Sequence, residues 1–126
     1  MTTRRQERVN GRLVQEVSSA IRDLKDDRIG FVTVTEASVS PDLRNATVHV
    51  SILGPDPDAV MQVLIGSLPH LRKVVGRRLQ LKYTPELHLR HDTRMEKAAD
   101  MSRLIREARA SDPNPDEGDG DGEEDA

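Results

Sequence analysis

Two β-branched runs separated by a short polar turn constrain this chain more than any other feature. From Arg28 the sequence reads Arg-Ile-Gly-Phe-Val-Thr-Val-Thr-Glu-Ala-Ser-Val. It turns through Ser40-Pro41-Asp42-Leu43-Arg44-Asn45 and resumes as Ala-Thr-Val-His-Val-Ser-Ile-Leu, ending at Leu53. In the second run Ala46, Val48, Val50 and Ile52 alternate with Thr47, His49 and Ser51. A period of two sends successive side chains to opposite faces, so this run predicts a strand with one buried and one wet face. The two runs with their turn predict a β-hairpin.

Helical spacing flanks the hairpin. From about Arg4 to Leu24, the residues Val9, Leu13, Val17, Ala20, Ile21 and Leu24 form one apolar stripe, the pattern of an amphipathic helix. Lys25-Asp26-Asp27 breaks it. Gly54-Pro55-Asp56-Pro57 stops the second strand, with Asp56 suited to a helix N-cap and Pro57 to the first helical position. The helix that follows carries Val60, Val63 and Leu64 and then meets Gly66-Ser67-Leu68-Pro69. A proline has no amide for the intrahelical bond and clashes with the preceding turn, so the helix must kink or restart there. Leu71, Val74 and Val75 continue the helical pattern. A third strand is expected over Gln80 to His91, with Pro85 reducing its first half to an edge or bulge and with Leu87 and Leu89 inward. A last helix, about Arg94 to Ala110, has Met95, Ala98, Met101, Leu104 and Ile105 on or near one side. The order α-β-β-α-kink-α-β-α predicts an α+β sandwich, a three-stranded sheet packed against helices on one face.

Length and composition set the outer bounds. One domain fits in 126 residues and two ordinary ones do not. Phe31 and Tyr83 are the only aromatics, so the core is expected to be aliphatic. The absence of cysteine excludes disulfides, thiolate metal sites and cysteine nucleophiles. No apolar run approaches the roughly 20 residues that span a bilayer, and the charged start lacks the apolar segment of a signal peptide. A soluble, cytoplasmic protein is expected. The net charge of −3 conceals a division: all 19 Lys and Arg precede residue 111, beside 14 of the 22 acids, whereas residues 111–126 hold eight acids and no base. Residues 1–110 are thus read as a modestly basic domain. Residues 111–126, with no apolar side chain before the terminal Ala126, are read as a disordered acidic tail. The preferred role for that tail is an inert solubilising extension. The alternative is a segment that folds back over the basic face.

Three motifs carry a family resemblance. Asp26-Asp27-Arg28-Ile29-Gly30 precedes the first strand, and Val39-Ser40-Pro41-Asp42-Leu43 occupies the turn. Pro85-Glu86-Leu87 is followed five residues later by Asp92. Over about residues 4 to 106 the chain resembles the ribosome-binding factor A family, bacterial factors for maturation of the small ribosomal subunit. That resemblance implies a type II KH-like fold. Ordinary KH domains place a GXXG loop between two helices for backbone approach to nucleotides, whereas this family has a helix–kink–helix marked by Ala-x-Gly. Here the corresponding place reads Ser67-Leu68-Pro69, with Gly66 just upstream. Proline supplies a kink by a different route and stiffens the backbone. The resemblance further implies an assembly factor that binds the free small (30S) subunit and assists late maturation and processing of its 16S rRNA. No membrane and no small-molecule substrate are implied. Nothing in the sequence demands an oligomer, so a monomer is expected.

The candidate RNA contacts are basic. After the kink come His70, Arg72, Lys73, Arg77, Arg78 and Lys82. At about 100° per residue, His70, Lys73 and Arg77 share one flank. Arg72 borders that flank, while Arg78 turns towards the apolar arc, where its stem can lie across the core. Cations beside a helix start with open amides suit phosphates; the plainer reading is a solvated helix face. Arg5, Arg8 and Arg12, with Arg4 beside them, form a second cluster at i, i+3, i+7 spacing, or simply a basic N-terminus. Arg44, Arg90 and Arg94 are candidates to extend the surface. With so few aromatics, affinity is expected to come from counterion release, and recognition from the shape of folded RNA.

No catalytic site, cofactor or metal site is expected. His49 is on the wet face of its strand, and His88 and His91, three apart on a strand, point to opposite faces and chelate poorly. No nucleophile is placed with His91 and Asp92, the Asp-Gly repeats of the tail lack calcium-loop spacing, and no nucleotide-binding glycine pattern occurs. The competing function is a protein-interaction module that uses a sheet edge near Pro85, without RNA contact.

Overall fold

Thr3 opens the first helix with a capping box: its hydroxyl accepts from the Gln6 amide, and the Gln6 side-chain carbonyl accepts from the Thr3 amide. Two donors that a helix start leaves without partners are thereby satisfied reciprocally. This helix, α1 (Arg4–Leu24), ends at Lys25 in the left-handed conformation. In the computed structural model, which describes residues 2–110, the elements that follow are β1 (Phe31–Val39), β2 (Asn45–Leu53), α2 (Pro57–Gly66), α3 (Leu68–Leu79), β3 (Glu86–His91) and α4 (Arg94–Ala110). The order is the expected one and the class is α+β. The acidic segment expected to be disordered, 111–126, lies outside the described residues.

The sheet runs β1-β2-β3, with β2 antiparallel to β1 and parallel to β3. Its central strand behaves as the alternation predicts: Ala46, Val48, Val50 and Ile52 are at most 2% exposed. Ala46 lies opposite Val39 on one side and Leu87 on the other, and Val48 lies opposite Ala37 and Leu89. Helix α1 packs on β1 and α3, α2 on β2, and α3 on β3, so Leu13, Val17, Leu64, Leu71 and Val75 close over the apolar face of the sheet. Gln6 joins this core against expectation. Its amide group donates to the Val39 carbonyl at 3.1 Å, while the Asn10 side chain accepts from the Val39 amide at 2.8 Å. The first turns of α1 are therefore fixed to the end of β1, where the hairpin turns.

A register shift between Val34 and Glu36 takes Thr35 out of the ladder. Its hydroxyl donates to the Asp92 carboxylate at 2.8 Å, and the Asp92 amide donates to the Val50 carbonyl at 2.7 Å. Buried Asp92 therefore ties the end of β3 to the bulge.

The helix–kink–helix forms around Ser67. Asp56 caps α2 by accepting from the Ala59 amide at 3.1 Å, with Pro57 at its first turn. The Ser67 amide still reaches back to the Val63 and Leu64 carbonyls, and its hydroxyl donates to the Val63 carbonyl. Pro69, in the first turn of α3, then removes one donor. The third strand is shorter than expected. Gln80 adopts the left-handed conformation as the C-cap of α3, and pairing begins only at Glu86. Residues 80–85 form a loop because Pro85, which has no amide to give to a ladder, is buried beside α3 instead.

Among the described residues, 93–110 belong to a second unit. Within it α4 covers the expected residues, has no buried side chain, and leaves Met95, Met101, Leu104 and Ile105 exposed.

Candidate nucleic-acid interface

The candidate surface is assembled from the hairpin turn, the N-terminal turn of α1, α3 and the loop that follows it. The turn closes through the Ser40 amide to the Asn45 carbonyl at 2.8 Å and the Leu43 amide to the Ser40 carbonyl at 2.9 Å. The Asp42 carboxylate accepts from the Ser40 hydroxyl at 2.6 Å and the Arg44 amide at 3.1 Å. Those two donors, the hydroxyl first, hold its carboxyl below the usual aspartate range. Leu43 adopts φ 62°, a left-handed conformation that costs a non-glycine residue on the order of 1 kcal/mol. The cost is offset because its side chain enters the core. Arg44 then points outward, its guanidinium 4.8 Å from the ring centroid of Tyr83.

Tyr83 is held by the loop on the other side. Arg72 donates to the carbonyls of Thr84 at 3.2 Å and Pro85 at 3.4 Å. Gly76 lets the loop lie directly on α3: a Cβ at that position would come within 2.5 Å of Thr84 Oγ1 and 2.9 Å of its Cγ2. The Glu86 amide donates to the Arg44 carbonyl at 2.8 Å, joining loop and turn at the first rung of β3. Between these anchors Tyr83 remains 52% exposed, with Lys82 Nζ 5.5 Å from its ring centroid.

Two grooves meet at this ring. One, of about 460 Å³, is lined by Pro69, Arg72, Lys73, Lys82, Tyr83 and Thr84. The other, of about 220 Å³, has Arg5, Asp42 and Leu43 on one wall and Lys82 and Tyr83 on the other. Arg5, Arg44, Arg72, Lys73 and Lys82 are thus gathered around one aromatic side chain. A groove of this kind presents several cations to an anionic polymer, with a flat ring at its centre.

The remaining candidates divide by what they already hold. Arg12 donates to the carbonyls of Arg78 and Leu79, at 2.9 and 3.3 Å, and so caps the C-terminal end of α3. Arg78 donates to Ser19 at 3.1 Å and pairs with Glu16 at 3.5 Å and Asp23 at 3.4 Å. Its side chain ties α3 to α1; it does not merely lie across the core. His70, Lys73 and Arg77 are exposed as the helical wheel predicts, but only Lys73 lines the groove. Arg8 is exposed on α1. Ser67, Leu68 and Pro69 form the break, and Pro69 contributes to the groove wall. At the sheet edge, β3 is a six-residue strand with exposed His88 and Arg90.

Sequence reasoning passed over Tyr83 and Gly76 and could not place Arg44. The rarity of aromatics was itself a signal. A lone tyrosine between Lys82 and Thr84 in a strand-breaking segment does not serve an aliphatic core. Among the described residues no three His, Asp or Glu side chains are grouped to hold a metal ion, and no helix is long and apolar enough to cross a membrane.

Comparison with known proteins gives consistent matches. The family model described as Ribosome-binding factor A matches residues 5–105. The ribosome-binding factor A of Alkalilimnicola ehrlichii is 42% identical over 108 residues, covering 82% of this chain and 83% of that relative. The crystal structure of ribosome-binding factor A from Thermus thermophilus is similar with a TM-score of 0.63 at 21% identity, over 68% of this chain and 94% of that one. A Thermus thermophilus ribosome binding factor A homology model, fitted into a cryo-EM map of its complex with the 30S subunit, is similar with a TM-score of 0.59. It is 20% identical over 66% of this chain and 90% of that one. At such identities the structural matches speak for the fold alone.

Proposed function

The chain belongs to the ribosome-binding factor A family, and from that membership we propose that it binds the free small ribosomal subunit through its 16S rRNA. In this reading it is a cytoplasmic assembly factor that acts as a monomer. It docks on an immature subunit, holds a late folding or processing state, and leaves without catalysing a reaction. Residues 1–110 carry the activity, and residues 111–126 are an acidic extension. The fitting of the Thermus thermophilus relative into a 30S complex supports the choice of partner.

The observation that carries the reading is the convergence of Arg5, Arg44, Arg72, Lys73 and Lys82 on one face from four separate stretches of sequence. Cations spaced around a groove neutralise phosphates and release counterions, so affinity falls steeply with salt. Co-sedimentation with isolated small subunits, large subunits and whole ribosomes across a salt series tests it. Selective, salt-sensitive pelleting with free small subunits is expected. Lys73→Glu should weaken binding and lower the salt slope by about 1, whereas Arg77→Glu, outside the groove, should do less. Binding that ignores salt and survives Lys73→Glu would sink the RNA contact and favour a protein partner.

A further inference from the structure

We infer that Tyr83 is a stacking platform for one unpaired base of the bound RNA, with Lys73 and Arg5 holding the phosphates on either side. This rests on the RNA contact proposed above and deepens it, because cations alone give no reason for an exposed ring at the centre of the groove.

The first support is placement. Phe31 and Tyr83 are the only aromatics in the chain, and they are placed differently. Phe31 lies at the opposite end of β1 from the hairpin turn, paired across the sheet with the equally exposed Leu53. Tyr83 has two cations within reach of its ring, at 4.8 and 5.5 Å, and a groove on each side. The second support is rigidity. Arg72 clamps the carbonyls of Thr84 and Pro85, buried Pro85 anchors the loop, and the bare backbone of Gly76 seats Thr84. A loop anchored before binding loses little backbone freedom when a base lies on the ring it carries. The third is chemistry. Aromatic rings and guanidinium planes both accept a stacked base. The Arg44 guanidinium lies over the Tyr83 ring, so a base stacks by taking its place on the ring while the displaced cation turns to a phosphate. The larger groove, about 460 Å³ and walled by Pro69, is open to solvent along one side of the ring, so a strand of RNA can reach it. Recognition then includes one splayed base in addition to the shape of folded RNA.

The test uses a property of the sequence: with one tyrosine and no tryptophan, intrinsic fluorescence of the full chain arises at Tyr83. The protein is titrated at low salt with a dye-labelled ribo-oligonucleotide and with the matching abasic oligomer, and binding is followed by dye anisotropy. The oligonucleotide that carries bases should quench Tyr83, and the abasic one should bind more weakly without quenching. Tyr83→Phe should keep the affinity for the base-bearing oligomer. Tyr83→Leu should lose roughly tenfold or more, and Phe31→Leu should lose nothing. Unquenched fluorescence at saturation, or a Tyr83→Leu protein that binds as tightly as the wild type, overturns the platform. The RNA reading still stands in that case if Lys73→Glu weakens binding to oligomer and subunit. If Lys73→Glu weakens neither, both fall.

Discussion

Gly76 and Thr84 meet where α3 faces the loop that carries Tyr83, and the absence of a side chain on one is what admits the other. Gly76→Ala places a methyl group 2.5 Å from Thr84 Oγ1, so helix and loop must separate. A cost of about 1–3 kcal/mol is expected, the usual range for overpacking. Adding Thr84→Ala should recover part of it, and a double-mutant cycle in urea measures that coupling. Asp26 supplies a second prediction at this scale. The Arg28 guanidinium, donating at 2.7 and 3.0 Å, and then the Arg28 amide lower its pKa from 3.8 to about 2. A depressed carboxyl stabilises the fold above its unfolded pKa, and that contribution is lost as pH falls from 3.8 through about 2. Melting temperatures of wild type and Asp26→Asn, compared at low salt, should differ at pH 5 and converge near pH 2. Single residues were also where the sequence was least legible. The alternation of Ala46, Val48, Val50 and Ile52 announced their burial, but the role of Gly76 depends on the Thr84 side chain laid against it and that of Leu43 on the core it enters, which no local pattern encodes.

At the scale of elements, the helices and the hairpin were legible because each buries a periodic face. The apolar stripe of α1 and the alternation of β2 match their buried residues closely. Asp56-Pro57 and Pro69 mark local boundaries by backbone chemistry alone. The third strand was misjudged over 80–85 because Gln80-Leu81-Lys82-Tyr83-Thr84-Pro85 alternates polar and apolar residues like an edge strand before its proline. Its outcome was decided by α3, which offers Gly76 and Arg72 to the loop. The joint between α1 and α3 sorts the cations further than the helical wheel does, because Arg12 and Arg78 hold the two helices together. Arg12→Ala strips two carbonyls at the end of α3 of their donor and should destabilise by about 1 kcal/mol. Lys73→Ala, on an exposed flank, should leave stability within about 0.5 kcal/mol while weakening subunit binding. Urea titration beside co-sedimentation separates the two effects.

Over the whole molecule, net charge misleads. The stretch that contains every base is positive, and the eight acids beyond Ala110 reverse the total. A chain that stops at Ala110 should melt at the same temperature, since the residues removed offer no apolar side chain before the terminal alanine. RNA binding at about 0.05 M salt then separates the two readings of the tail. Affinity equal to that of the full chain is expected of an inert extension, and tighter binding would mean a segment that competes at the basic face. By about 0.3 M any such difference should fade, because screening shortens the reach of distant charge.

The parallel pairing of β2 with β3 has one more consequence, and it concerns time. Asn45 faces Glu86 and Val50 faces His91 across that ladder, so roughly forty residues must be looped out before the pair can close. Contacts so far apart in sequence form slowly and late. The groove depends on that closure, for Arg44 reaches Tyr83 only once the Glu86 amide has found the Arg44 carbonyl. A nascent chain still lacking β3 carries the same arginines and lysines but no cradle. Its attraction to RNA is then merely that of a loose polycation. If the groove is the contact surface proposed above, any preference for a target arrives only with the last strand.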